Sequence, residues 1–258
     1  MNIKYLFLLC CLFCSAIAEE RKNPASKAYI TSVQGDVSIL LKEGVMQDLA
    51  TRETYDAAGV VFDTKEKSNQ SMVLSNGSGV YMGEYTHLEI KKFVQEPFTP
   101  NRTDANVEPS ISQTRGYISR GEVAICTSKI VAGSNMTYET PNGKIKLFGN
   151  KVYINVGDNG TNVISIEGEF GVEVGPSKFE RVKTGQKAEM KNGNFIIVKP
   201  TEKEFKDAVE HITTACNAKK EVYFDIKKEV GEKLEIIATK MIDKKLPVQF
   251  TVSPASIP

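Results

Sequence analysis

Two histidines, His87 and His211, and two cysteines, Cys126 and Cys216, are the first residues to test for chemistry in this 258-residue chain. Neither histidine has a second His or Cys at metal-ligand spacing, so a zinc site has no support. A Cys126–His211 nucleophile pair would need the two side chains oriented on one another, and nothing in the text joins them. Glu167, Glu169 and Glu173 occupy alternate positions, which suits either a paired-acid site or the solvated face of a sheet; the solvated face is the expectation. Gly77-Ser78-Gly79 with Gly83 imitates a phosphate-cradling loop, but that loop must lead into a helix, and VYMGEYTHLEI continues as strand. Asp158-Asn159-Gly160 lacks the alternating acids and terminal glutamate of a calcium loop. No G-x-S-x-G nucleophile elbow occurs. The expectation is a chain with no catalytic, metal or cofactor-binding residue, and no cofactor.

The elements that would position these side chains are mostly strands. Tyr29, Val33, Val37, Ile39 and Leu41 lie two or four apart, the alternation of a half-buried sheet. Val60-Val61-Phe62, Met72-Val73-Leu74, Val80-Tyr81-Met82 and Leu88-Glu89-Ile90 continue it, and SNGSG around Gly77 is a hairpin signal. Residues 95–114 break the pattern with three prolines and no period, which predicts a loop or insertion between two lobes that can share a core. The second lobe runs to Val198, with turns at Pro141-Asn142-Gly143-Lys144 and around Asp158-Asn159-Gly160. Short strands at such intervals predict an all-β roll, sandwich or solenoid.

After Pro200 the period changes. Phe205, Ala208, Val209, Ile212 and Cys216 mark one face of a helix, with Thr201 and Glu204 placed as a capping box. Tyr223, Ile226, Val230, Leu234, Ile237 and Met241 keep helical spacing, which predicts a helical region over 199–246 and an extended tail over 247–258.

Three stretches echo one another: QGDVSI from Gln34, RGEVAI from Arg120 and EGEFGV from Glu167. Each places glycine and an acid before an alternating run. Glycine permits a bend or bulge without a Cβ clash, so Gly35, Gly121 and Gly168 are predicted to open strands at sheet corners. Gly77, Gly143 and Gly185 are the corresponding turn and strand glycines elsewhere.

Residues 1–18 combine Lys4, an apolar run and Ala16-Ile17-Ala18 before Glu19, the pattern of a cleaved secretory signal. The run is short for a bilayer span, and cleavage would leave a periplasmic or extracellular chain without stable membrane insertion. Residues 19–27 would form an exposed segment. The formal charge of the whole chain is only +1, giving no global field for nucleic acid, and the absence of Trp removes the strongest sugar-stacking platform. Only Cys126 and Cys216 would remain after cleavage; an exported compartment permits their disulfide, and two buried thiols are the alternative.

Over residues 28–198 the order of segments resembles the FecR domain family. VQGDVSILLKEG and GVVFDTKEKSNQSMVLSNGSGVYMGEYTHLEI look like its opening half, and ISRGEVAI, YETPNGKIKLFGNKVYINV, NGTNVISIEGEFGVEV and VKTGQKAEMKNG like its closing half. The resemblance implies a mainly β envelope domain. FecR-type regulators relay a receptor's state to a cytoplasmic sigma factor through a cytoplasmic segment and a membrane span. MNIK is too short for the first, so direct sigma-factor control is not expected. The expected function is non-enzymatic recognition, signalling or scaffolding at the bacterial cell envelope, through an unidentified envelope protein. A glycan- or cell-wall-binding module is the second reading and an enzyme the third.

Overall fold

The structure, a computed structural model, describes residues 23–99, 106–228 and 234–241. The expected signal with Ala16, Ala18 and Glu19, the middle of the Pro-rich segment and the tail lie outside the described residues.

The first lobe holds eight strands: β1 (Lys27–Gln34), β2 (Val37–Leu40), β3 (Met46–Asp48), β4 (Thr54–Asp56), β5 (Val60–Thr64), β6 (Asn69–Leu74), β7 (Gly79–Met82) and β8 (His87–Gln95). The second holds β9 (Ser112–Cys126), β10 (Asn135–Thr140), β11 (Gly143–Gly157), β12 (Gly160–Gly175), β13 (Lys178–Val182), β14 (Lys187–Lys191) and β15 (Asn194–Val198). All fifteen join one sheet, in the order β15-β14-β12-β11-β10-β9-β7-β6-β1-β4, with β8, β5, β2 and β3 branching from β9 and β13 from β12. β9 is the hub. Its first half pairs with β8 and, in parallel, with β10, while its second half pairs with β7 and β11. A sheet that branches in this way wraps around its own apolar face, and one core runs from Ala28 to Met190 through both lobes.

The echoed glycines explain how long strands serve that wrapped core. A regular strand buries alternate residues, so the buried parity cannot change without an extra residue. β1 buries Ala28 and Ile30, yet beyond Gly35 the chain buries Val37 and Ile39. β9 buries Ile118 before Gly121 and Val123 and Ile125 after it; β12 buries Val163 before Gly168 and Phe170 and Val172 after it. The three glycines have φ of 77°, 87° and 82°, the left-handed conformation of a bulge glycine. Pairing slips by a residue beside Gly121 and Gly168. Each switch therefore gives a strand two outward faces belonging to different surfaces of the molecule. On β11 these are Lys144 and Lys146 in the first half, and Tyr153 and Asn155 in the second.

Among the described residues a single helix, α1 (Glu202–Lys219), lies across the second of these surfaces. Thr201 caps it: its hydroxyl accepts from the Glu204 amide while the Glu204 carboxylate accepts from the Thr201 amide. Ala208, Ile212 and Ala215 pack on Ala124, Tyr153 and Ile164, whereas Phe205 is 37% exposed. The contact with β7 is close because Gly79 has no side chain; a Cβ there would stand 2.0 Å from the Ala215 carbonyl oxygen. Cys126 of β9 and Cys216 of α1 form a disulfide. Lys187 joins the helix start to the sheet, with Nζ 2.7 Å from both Glu189 and Glu204. Burial alone would raise the Glu204 carboxyl, but hydrogen bonds from Lys187 and Thr201 outweigh it and hold it below the ordinary range.

The helical spacing predicted over Tyr223–Met241 is not realised. Residues Val222–Lys228 and Leu234–Lys240 are the antiparallel strands β16 and β17. Val222, Phe224 and Ile226 also alternate, and with Ile236 and Ala238 they cover Tyr29 and Val73 on the back of β1 and β6. A two-residue period that seals an existing apolar face prevails over a coincident spacing of three and four. The Pro-rich segment is likewise shorter than expected: β8 reaches Gln95 and β9 starts at Ser112. Among the described residues no helix is long and apolar enough to cross a membrane.

Candidate functional site

The residues first tested for chemistry are held by structural partners. His87 Nδ1 lies 2.5 Å from Asp63, whose other oxygen accepts from Arg120 at 2.7 Å; the three are register neighbours on β5, β8 and β9. His211 stacks on Tyr81 with ring centroids 4.8 Å apart, and its Nδ1 is 3.7 Å from Glu122. The disulfide leaves neither Cys126 nor Cys216 a thiol to pair with it. Glu167 bonds Lys151, Glu169 bonds Arg181 at 2.6 Å and Glu173 lies 3.6 Å from Lys144, so each carboxylate is balanced by a cation on a neighbouring strand. Gly77, Gly143 and Gly185, like the three echoed glycines, have positive φ. Among the described residues no group of three His, Cys, Asp or Glu could hold a metal ion.

The structure instead brings together residues far apart in sequence. Register places Glu122, Asn155, Asn162, Glu189 and Ile196 side by side across β9, β11, β12, β14 and β15. The row runs from the flank of α1, where Glu122 meets His211, to the outer edge of the sheet. Asn155 is fixed within it, donating to Glu122 at 3.2 Å and to the Tyr153 hydroxyl at 3.4 Å. Burial, and then the neighbouring Glu122, push the Tyr153 phenol up, so it stays neutral and can donate. Among the described residues the Asn162 amide has no hydrogen-bond partner of its own.

Asn155, Asn162, Glu189 and Ile196 of this row line an open groove of about 630 Å³, together with the Asp158-Asn159 turn, Lys191 and Asn194. Its outer wall is β15. Among the described residues that strand pairs only with β14, and its other edge makes no backbone hydrogen bond. Phe195 and Ile197 turn towards the core, leaving Ile196 57% exposed on the groove side. An apolar edge strand with free backbone donors and acceptors beside an amide-lined groove is equipped to receive an extended peptide.

Sequence reasoning named the turn residues of this groove as a failed calcium loop and missed its floor. Asn155, Asn162 and Glu189 are unremarkable polar residues in their own strands; only the pairing register unites them.

No family model matches the chain, and no curated relative matches it by sequence. Among solved structures the fold is similar to that of a protein from Parabacteroides distasonis ATCC 8503, provisionally named an anti-sigma factor. Its crystal structures at 1.65 and 2.50 Å resolution give TM-scores of 0.41 and 0.40 and identities of 10% and 11%. Both alignments cover 70% of this chain and 99% of the other. At that distance the likeness transfers no role.

Proposed function

We propose that this chain is a non-enzymatic, exported recognition protein of the bacterial cell envelope, which holds an extended segment of a partner protein against β15. The observation that carries the reading is the edge of β15, unpaired among the described residues, with Ile196 exposed beside the amide-lined groove. Strand addition takes its affinity from main-chain hydrogen bonds and its selectivity from pockets for alternate side chains, and this edge offers both. The export half of the reading is supported by the signal pattern of residues 1–18 and by the FecR-like order of segments.

The test places a photo-crosslinking amino acid at Asn194 in cells that make the protein. The expected result is a discrete adduct with an envelope protein, reduced more than tenfold by Ile196→Lys, because a charge on an edge strand opposes pairing. An adduct equally strong from a crosslinker at exposed Tyr85, or one indifferent to Ile196→Lys, overturns strand addition. Sequencing the exported product tests the export half: a start at Glu19 supports it and a start at Met1 overturns cleavage.

A further inference from the structure

The other outward face of the long strands carries a second transverse row. Lys92, Arg115, Thr137, Lys146, Gly171 and Arg181 are successive register partners on β8 to β13. Strands lie about 4.8 Å apart, so the row spans roughly 24 Å, with a positive charge at every first or second strand. Arg181 is paired with Glu169, but Lys92, Arg115 and Lys146 form no ion pair among the described residues. A chain that is nearly neutral overall has thus gathered on one line cations that have no ion pair among the described residues.

The surroundings of the row narrow its ligand. A groove of about 370 Å³ lies along it, with the Gln113 and Asn135 amides on one side and Glu173 and Phe179 on the other. Beside the cations runs a mixed line in which Tyr117 pairs with Glu139, Glu139 with Lys144, and Lys144 reaches Glu173. At Gly171 the missing side chain leaves room for two phenylalanines: a Cβ there would stand 2.8 Å from the Phe179 Cβ and 3.0 Å from the Phe148 ring. Lys146 lies 5.8 and 5.7 Å from those ring centroids, and Arg181 lies 4.4 Å from that of Phe148.

The geometry points to a binding site for a linear anionic glycan, laid across the strands with its acidic groups on Lys92, Arg115 and Lys146. The Gln113 and Asn135 amides and the Glu173 carboxylate suit the many hydroxyls of a sugar chain, while Phe179 offers an apolar surface to a ring. A nucleic acid fits worse: single strands are held by stacking successive bases on aromatic side chains, and among the described residues the groove is lined by one aromatic ring, Phe179. The site is independent of the β15 edge and lies on a different surface.

Calorimetric titration of the full exported chain with polygalacturonate tests it, with dextran, a single-stranded oligonucleotide and anionic phospholipid vesicles as the other arms. Polygalacturonate is expected to bind and to weaken as salt rises. Arg115→Glu with Lys146→Glu should lower its affinity more than tenfold, whereas Ile196→Lys should leave it unchanged. A Lys92→Ala, Arg115→Ala, Lys146→Ala variant with an unaltered unfolding midpoint should show the same loss, which excludes misfolding as its cause. Absence of polygalacturonate binding, equal binding of dextran, tighter binding of the oligonucleotide or vesicles, or affinity retained in the folded triple variant would each overturn the assignment.

Discussion

A methyl group added at Gly121 would stand 2.4 Å from the Cα of Thr86 and 2.3 Å from its hydroxyl, in a backbone of φ 87°. That hydroxyl already accepts from the Glu122 amide at 2.8 Å, so it cannot simply turn away. The left-handed conformation costs an L-residue roughly 1–2 kcal/mol, and overpacking typically adds 1–3 kcal/mol. Gly121→Ala is therefore expected to lower stability by about 2–5 kcal/mol in urea unfolding. Gly185→Ala is the control: φ is 77° but nothing lies within 4 Å of the added carbon, so only the conformational part should be lost. Equal losses at the two positions would mean that the bulge is not packed as described. The need for glycine here was legible in the echoed triplets, because bulge geometry is a local demand. The atoms that Gly121 meets belong to Thr86, and no local pattern names them.

Helix α1 is fastened to the sheet by the Cys126–Cys216 disulfide, by the close approach at Gly79 and by Lys187. The disulfide bridges a sequence separation of 90, for which the chain-entropy model gives about 4–5 kcal/mol. Replacing both cysteines with serine is expected to remove about 2–5 kcal/mol and to raise amide exchange in Glu202–Lys219 before it rises in β9 or β11. Simultaneous loss of protection in helix and sheet would place the disulfide's work in the β body instead. The helix itself was legible, since its capping box and apolar spacing are both local. The hairpin of β16 and β17 was not. Val222, Phe224 and Ile226 alternate, but Tyr223, Ile226 and Val230 also match a helix, and only the apolar surface of Tyr29 and Val73, which the hairpin buries, decides between them. The groove row of Glu122, Asn155, Asn162 and Glu189 was hidden for the same reason, being a product of register across strands distant in sequence.

At the scale of the whole molecule, the two lobes are one folding unit although the Pro-rich segment separates them in sequence. β9 starts beyond that segment and pairs with β7 and β8 before it; its Ile118, Val123 and Ile125 share a core with Ile30, Phe62 and Met72 on one side and Phe170 on the other. A core that continuous transmits a cavity made at one end to the whole, because close-packed interiors relax only partially. Phe170 is fully buried in the second lobe, and Phe170→Ala is expected to cost about 3–5 kcal/mol. The loss should appear in a single transition, with the same midpoint from a fluorescent label at exposed Tyr85 in the first lobe and one at exposed Val174 in the second. Two separated midpoints, with the Tyr85 label still reporting the wild-type value, would show that the lobes fold independently. In that case β9 would act as a tether between two domains and could not be the shared central strand that holds both outward faces in fixed register.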